Sequence, residues 1–89
     1  MSIAKIYPTT HFIKAYKNLP EKVRILLQQK ELIFMADPFD NRLKTHKLKG
    51  KLKDYCSYSV DYQHRIIFRF MDRETVLYLD IGKHDIYDR

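Results

Sequence analysis

The segment NRLKTHKLKGKLK, residues 41–53, holds Arg42, Lys44, Lys47, Lys49, Lys51 and Lys53, with His46 among them and no acid. Outside it the chain is balanced, with 11 basic and 11 acidic residues, so the formal charge of +6 is local to this segment. A concentrated cationic block suits a polyanion: RNA, DNA, lipid headgroups or an acidic protein segment. Such binding would weaken steeply with salt if phosphates were neutralised and counterions released. A neutral imidazole at His46 could accept a proton. Leu43, Leu48 and Leu52 interrupt the cations and are expected to anchor the segment to the core.

Two further clusters could take part in the same chemistry. HRIIFRF, residues 64–70, alternates Ile66, Phe68 and Phe70 with Arg65, Ile67 and Arg69, so the two arginines share the face away from a core. Arg65 begins the run beside a turn, where a guanidinium could hold a phosphate through two N–H groups. Arg69 is expected to be a solvated outer-face residue. The closing IGKHDIYDR brings Lys83, His84, Asp85 and Tyr87 together just after an expected strand end. His11 and His64 look structural.

The 89 residues allow one domain, 1–89, because a second core would have too little to bury. A content of 45% hydrophobic and 31% charged residues is that of a globular protein. Residues 1–10 lack the apolar core of a signal peptide, and no run approaches the ~20 apolar residues of a membrane span. The single Cys56 forms no intrachain disulfide and suits a reducing cytoplasm. No Cys or His pair has zinc-ligand spacing, so neither a structural metal nor a cofactor is expected.

Elements that could position these groups follow from periodicity. IAKIY, residues 3–7, reads as a short strand ended by Pro8. Thr9 or Thr10 can cap a helix bearing Phe12, Ile13 and Tyr16. Pro20 and Glu21 open a second helix reaching about Ala36. Its stripe of Val23, Leu26, Leu27 and Phe34, widened by Ile25, Leu32 and Ile33, predicts burial between a sheet and the first helix. Strands are expected at 55–60, 64–70 and 75–81, the last with Leu77, Leu79 and Ile81 on one face. The outcome is an α+β domain: a short N-terminal strand, a two-helix hairpin, then a three-stranded antiparallel meander, with both helices on one sheet face.

In this order, the helical hairpin ending in DPF, H-x-L-x-G (His46 to Gly50), Tyr55, HRIIF (64–68) and IG-x-H-x-x-Y (Ile81 to Tyr87) resemble the RelE/ParE toxin superfamily of type II toxin–antitoxin modules. The resemblance spans nearly the whole chain. It implies a basic concave surface opposite the helices and, for RelE-type members, cleavage of messenger RNA in the ribosomal A site. The implied chemistry is metal-independent attack of a ribose 2′-OH on the adjacent phosphate. It further implies an acidic antitoxin partner that covers the basic surface.

Carried over by position, Arg65 is the phosphate-binding arginine, His84 an acid/base group and Tyr87 a substrate-contacting tyrosine. His46, Lys47 and Lys49 form the basic entry to the sheet. Beyond the positions that the resemblance covers, Arg42, Lys44, Lys51, Lys53 and Lys83 are expected as further RNA contacts, joined by the outer-face Arg69. Positions where relatives place catalytic residues are here Cys56, Tyr58, Ser59 and Gln63. This leaves His46, Lys49 or Lys51 as candidates for the base and Tyr58 as a binding residue. The ParE branch, which inhibits DNA gyrase, is one alternative. A non-catalytic RNA-binding module that stacks bases on Tyr55, Tyr58 and Tyr78 is the other.

Overall fold

The computed structural model describes residues 1–83. In chain order it contains β1 (Lys5–Pro8), α1 (Thr10–Lys17), α2 (Glu21–Ala36), β2 (His46–Lys47), β3 (Cys56–Ser59), β4 (His64–Phe70) and β5 (Thr75–Lys83). Short 3₁₀ turns lie at Asn41–Leu43 and Gly50–Leu52. The strands form one five-stranded sheet in the order β1-β5-β4-β3-β2. The expected antiparallel meander is β3-β4-β5, while β1 joins its far side parallel to β5. Among the described residues, no helix is long and apolar enough to cross a membrane.

Thr9 shows how local sequence fixes the junction between strand and helix. Its hydroxyl accepts the Phe12 N–H at 3.0 Å, capping α1, and donates to the Leu79 carbonyl at 2.9 Å. One side chain thus satisfies an orphan helix donor and ties the helix start to β5. The second helix has no side-chain cap at Pro20; Glu21 is favourably placed in its first turn. Arg24 of the same helix donates to the Leu19 carbonyl at 2.8 Å, closing the interhelix corner.

The core lies between the helices and one sheet face. Phe34 is fully buried and stacks on Tyr58, with ring centroids 4.6 Å apart and 20° between planes. The same ring meets Phe68 edge-on at 4.9 Å. Aromatic pairs of this geometry add about 0.5–1.5 kcal/mol beyond the area they bury. Phe12 brings α1 onto the cluster through Tyr78, at 4.9 Å.

The structure corrects two expectations about faces. The outer side of α2 is open to solvent: Leu32 is 72% exposed and Ile25 48%. Val23, Leu27 and Phe34 are buried against the sheet and Leu26 and Ile33 pack partly buried on the same core, so the widening fails only at Ile25 and Leu32. In β5, the core side chains are Val76, Tyr78 and Ile81, while Leu77 and Leu79 are only partly buried. Ile67 pairs with Asp80 and Phe68 with Tyr78, leaving Leu79 as an extra residue. This β-bulge changes the phase of alternation, so a strict period of two assigns the wrong face.

Phe34→Ala should destabilise the fold by about 3–5 kcal/mol, a large part of a small domain's stability. Leu32→Ser should change it by no more than about 0.5 kcal/mol. Urea unfolding of both variants checks the pair; equal losses would mean that the outer face of α2 is covered after all.

Candidate nucleic-acid interface

Side chains opposite one another in a sheet project to the same face. Tyr58, Ile66 and Phe68 fill the helix side, so Ser57, Ser59, Arg65 and Ile67 occupy the other. Two cross-strand rows result. One runs His46, Ser57, Ile67, Asp80, and the next Ser59, Arg65, Gly82. Arg65 is therefore flanked by a serine on β3 and by a residue with no side chain on β5. Its Nη1 donates to Ser59 Oγ. Arg69 shares the face and is exposed, about 14 Å away at ~3.4 Å per residue, too far to share a phosphate with Arg65.

The turn before β4 fixes where Arg65 begins. Asp61 accepts the N–H groups of Gln63 at 2.9 Å and His64 at 2.6 Å, and its carboxylate also meets His64 Nδ1 at 3.0 Å. Burial alone would raise the Asp61 pKa, but these donors together lower it. His64 is a buried strand-start residue, as its sequence position suggests.

The basic segment is built, not loose. Leu43 and Leu48 are buried and Leu52 partly so, which pins both ends and the middle of the segment. Gly50 adopts φ 68°, a left-handed conformation that explains the glycine of H-x-L-x-G through backbone sterics. Lys44 takes the same region at φ 54° without that freedom, ending the first 3₁₀ turn. His46 and Lys47 form β2, the edge strand beside β3, an element absent from the sequence expectation. His46 Nδ1 lies 3.1 Å from the Lys44 carbonyl. A carbonyl only accepts, so Nδ1 carries the hydrogen, and in the neutral ring Nε2 is left as an exposed acceptor.

Several expected contacts are placed elsewhere. Tyr58 is fully buried on the helix side, 2.7 Å from the Tyr78 hydroxyl, so neither tyrosine can stack a base. Desolvation raises the pKa of Glu31 on α2 and of both tyrosines. Arg42 is bound in a fork by Asp40, Nε to Oδ1 at 3.0 Å and Nη2 to Oδ2 at 2.9 Å, so its charge is already matched. Lys47 is in register with Cys56 and Lys83 with His64, which by alternation puts both on the face opposite Arg65. Lys44, Lys49, Lys51 and Lys53 are exposed, and among the described residues none has an acidic partner within 4.0 Å. His84 and Tyr87 lie outside the described residues. The Ser59–Arg65 contact was missed in the sequence, although counting outward from the 61–63 turn pairs residue 59 with 65.

A family model described as the RelE-like toxin of the type II toxin–antitoxin system HigB matches residues 9–82. The chain belongs to this HigB-like toxin family. The match runs from the cap of α1 to Gly82 and so includes the whole Ser59–Arg65 row. Among curated proteins none matches the sequence.

Solved structures share the fold of this HigB-like chain. A YoeB/ParE toxin from Agrobacterium tumefaciens is 18% identical, with a TM-score of 0.76, covering 91% of this chain and 99% of that one. The toxin–antitoxin complex RelBE2 from Mycobacterium tuberculosis gives 16% identity and TM-score 0.76, covering 94% and 100%. The DinJ–YafQ complex from E. coli gives 16% and 0.73, covering 94% of each chain.

Two predictions follow from these placements. Tyr58→Phe should cost about 1 kcal/mol of stability, the net worth of one buried hydrogen bond, and leave nucleic-acid affinity unchanged. A loss of affinity with stability intact would return Tyr58 to the surface site. Hydrogen bonds from the Arg42 guanidinium and then its backbone N–H hold the Asp40 carboxyl at about 2. An unfolded Asp titrates near ~3.9, so the stabilisation is complete above about pH 4 and disappears as the pH falls through about 2. In a carboxyl NMR titration, Arg42→Gln should move the Asp40 midpoint up toward ~3.9; an unmoved midpoint would show that the fork does not form.

Proposed function

We propose that this HigB-like toxin is an endoribonuclease that cuts messenger RNA on the ribosome, with its reaction centred on Arg65. The observation that carries the reading is the position of Arg65: a guanidinium on the sheet face away from the helices, beside Gly82, with the His46 edge two strands away. The cations of residues 44–53 give that edge a positive field that attracts a polyanion and raises its local concentration.

The reaction balances without any other reactant. A base removes the ribose 2′-OH proton, the 2′-oxygen bonds to the adjacent phosphorus, and the bond from phosphorus to the 5′-oxygen breaks. An acid protonates that oxygen, leaving a 2′,3′-cyclic phosphate and a 5′-OH. Arg65 would hold the phosphate and stabilise the charge that grows on its oxygens in the transition state. Nε2 of His46 is the acceptor favoured as base, with Lys49 and Lys51 the other candidates. His84 is assigned the acid and Tyr87 a contact to the substrate, both from the family resemblance. Lys44, Lys53 and the exposed Arg69 would bind flanking RNA.

Some solved relatives are complexes of a toxin with its antitoxin. A cognate acidic antitoxin is accordingly assigned to this chain, covering the same cations and excluding RNA. A substrate on the ribosome implies action in the cytoplasm. The gyrase-inhibiting alternative shares the fold and predicts binding without cleavage.

Primer extension on programmed 70S ribosomes, with naked RNA and gyrase supercoiling as controls, separates these readings. Wild type should cut at A-site codons, and Arg65→Ala should lower the cleavage rate about 100- to 1,000-fold, as for loss of one transition-state donor. Intact messenger together with blocked supercoiling would replace the nuclease by the gyrase inhibitor.

A further inference from the structure

A phosphate-binding arginine works only if its guanidinium waits where the phosphate arrives. Arginine is long and its rotamers are many, so a strand position alone does not hold the head group. Three observations bear on what does. Arg65 Nη1 donates to Ser59 Oγ, the side chain directly across on β3. Ser59 is 9% exposed, in a four-residue strand where every residue is buried, so its hydroxyl has little freedom of its own. The neighbour on the other side is Gly82, which offers no side chain to compete for the guanidinium.

We propose that Ser59 is a positioning residue: its hydroxyl draws the Arg65 guanidinium toward β3 and holds it there, leaving the room beside Gly82 to the scissile phosphate. This rests on the reading of Arg65 as the phosphate-binding group. Ser59 itself takes no proton and touches no reacting atom. One N–H of the five-donor fork is used by Ser59, and the remainder stay available for a phosphate. A tether of this kind changes the rate more than the affinity. The charge on Arg65 persists without Ser59, so electrostatic attraction survives, whereas alignment in the transition state does not.

The test uses the full chain as Ser59→Ala, Ser59→Thr, Arg65→Ala and the Ser59→Ala/Arg65→Ala double variant, each checked for an unchanged melting transition. Ser59→Ala should lower kcat about 10-fold with KM nearly unchanged, and Ser59→Thr, which restores a hydroxyl, should recover most of it. Binding of a single-stranded RNA probe should keep its salt dependence in Ser59→Ala. Arg65→Ala should instead reduce the slope of log K against log salt by about 0.7, the loss of one phosphate contact. The double variant should match Arg65→Ala alone.

A nitrogen-15 spectrum of the arginine side chains gives a readout independent of activity. The Arg65 Nη signals should be separate in wild type, because rotation is hindered, and averaged in Ser59→Ala. Unchanged signals and kcat in Ser59→Ala, or losses that multiply in the double variant, would overturn the proposal. Absence of cleavage by the wild type, with Arg65→Ala still weakening RNA binding, would reject the nuclease reading alone. In that case the arginine spectrum decides the tether: averaged Arg65 Nη signals in Ser59→Ala would keep it, and unchanged signals would overturn it. An Arg65→Ala variant with unaltered RNA binding and cleavage would remove both.

Discussion

Phe34 packed against Tyr58 and Phe68 is the contact on which the arrangement of both sheet faces depends. It fixes the side of β3 and β4 that turns toward α2. Once Tyr58, Ile66 and Phe68 are committed to that side, alternation leaves Ser57, Ser59, Arg65 and Ile67 no choice but the other. The polar face of the toxin is thus a by-product of how its apolar face is filled. A one-residue slip between β3 and β4 would exchange the two sets, placing an arginine under the helix. The aromatic cluster therefore guards the register of the site as well as the stability of the fold.

The cations obey a second constraint. A sheet edge exposes unpaired backbone groups and invites pairing with other chains, and short charged edge strands discourage it. β2 is two residues long, His46 and Lys47, and the segments flanking it carry lysines. The same charges that suit a polyanion also protect this edge. Their cost is self-repulsion, and buried Leu43 and Leu48 offset it by tying the segment to the core. Asp40 takes part of the burden by matching Arg42, which is why a count of bases in 41–53 overstates the charge on offer.

Much of this was legible in the sequence, and what was not has physical causes. α1, α2 and β4 carry their own periodicity, and their observed limits fall at or within about two residues of those read from it. Arg65 followed from the alternation of HRIIFRF. The two-residue β2 has no period to read. The place of β1 beside β5 depends on a long crossover through both helices, which local pattern does not encode. Tyr58 was misplaced because aromatic residues are enriched both in cores and in RNA-binding faces. Only the burial of Phe34 against it decides between them. The Asp40–Arg42 fork lay just across the boundary of the segment chosen for its charge.

The bulge at Leu79 links the core to the site most directly. Continuing the Phe68–Tyr78 register without it would set Asp80 opposite Ile66 and Ile81 opposite Arg65. A carboxylate would then lie in the apolar core, where an unpaired charge is very costly, and a bulky isoleucine would crowd the guanidinium. One extra residue removes both conflicts. Ile81 moves opposite Ile66 and is buried, 3% exposed, and Asp80 leaves the core to meet His11 Nε2 at 3.0 Å. Gly82 then becomes the neighbour of Arg65. Bulges re-aim side chains near functional sites. Here one displacement both buries Ile81 against Ile66 and sets a glycine beside Arg65, so a register change that altered either would lose the other.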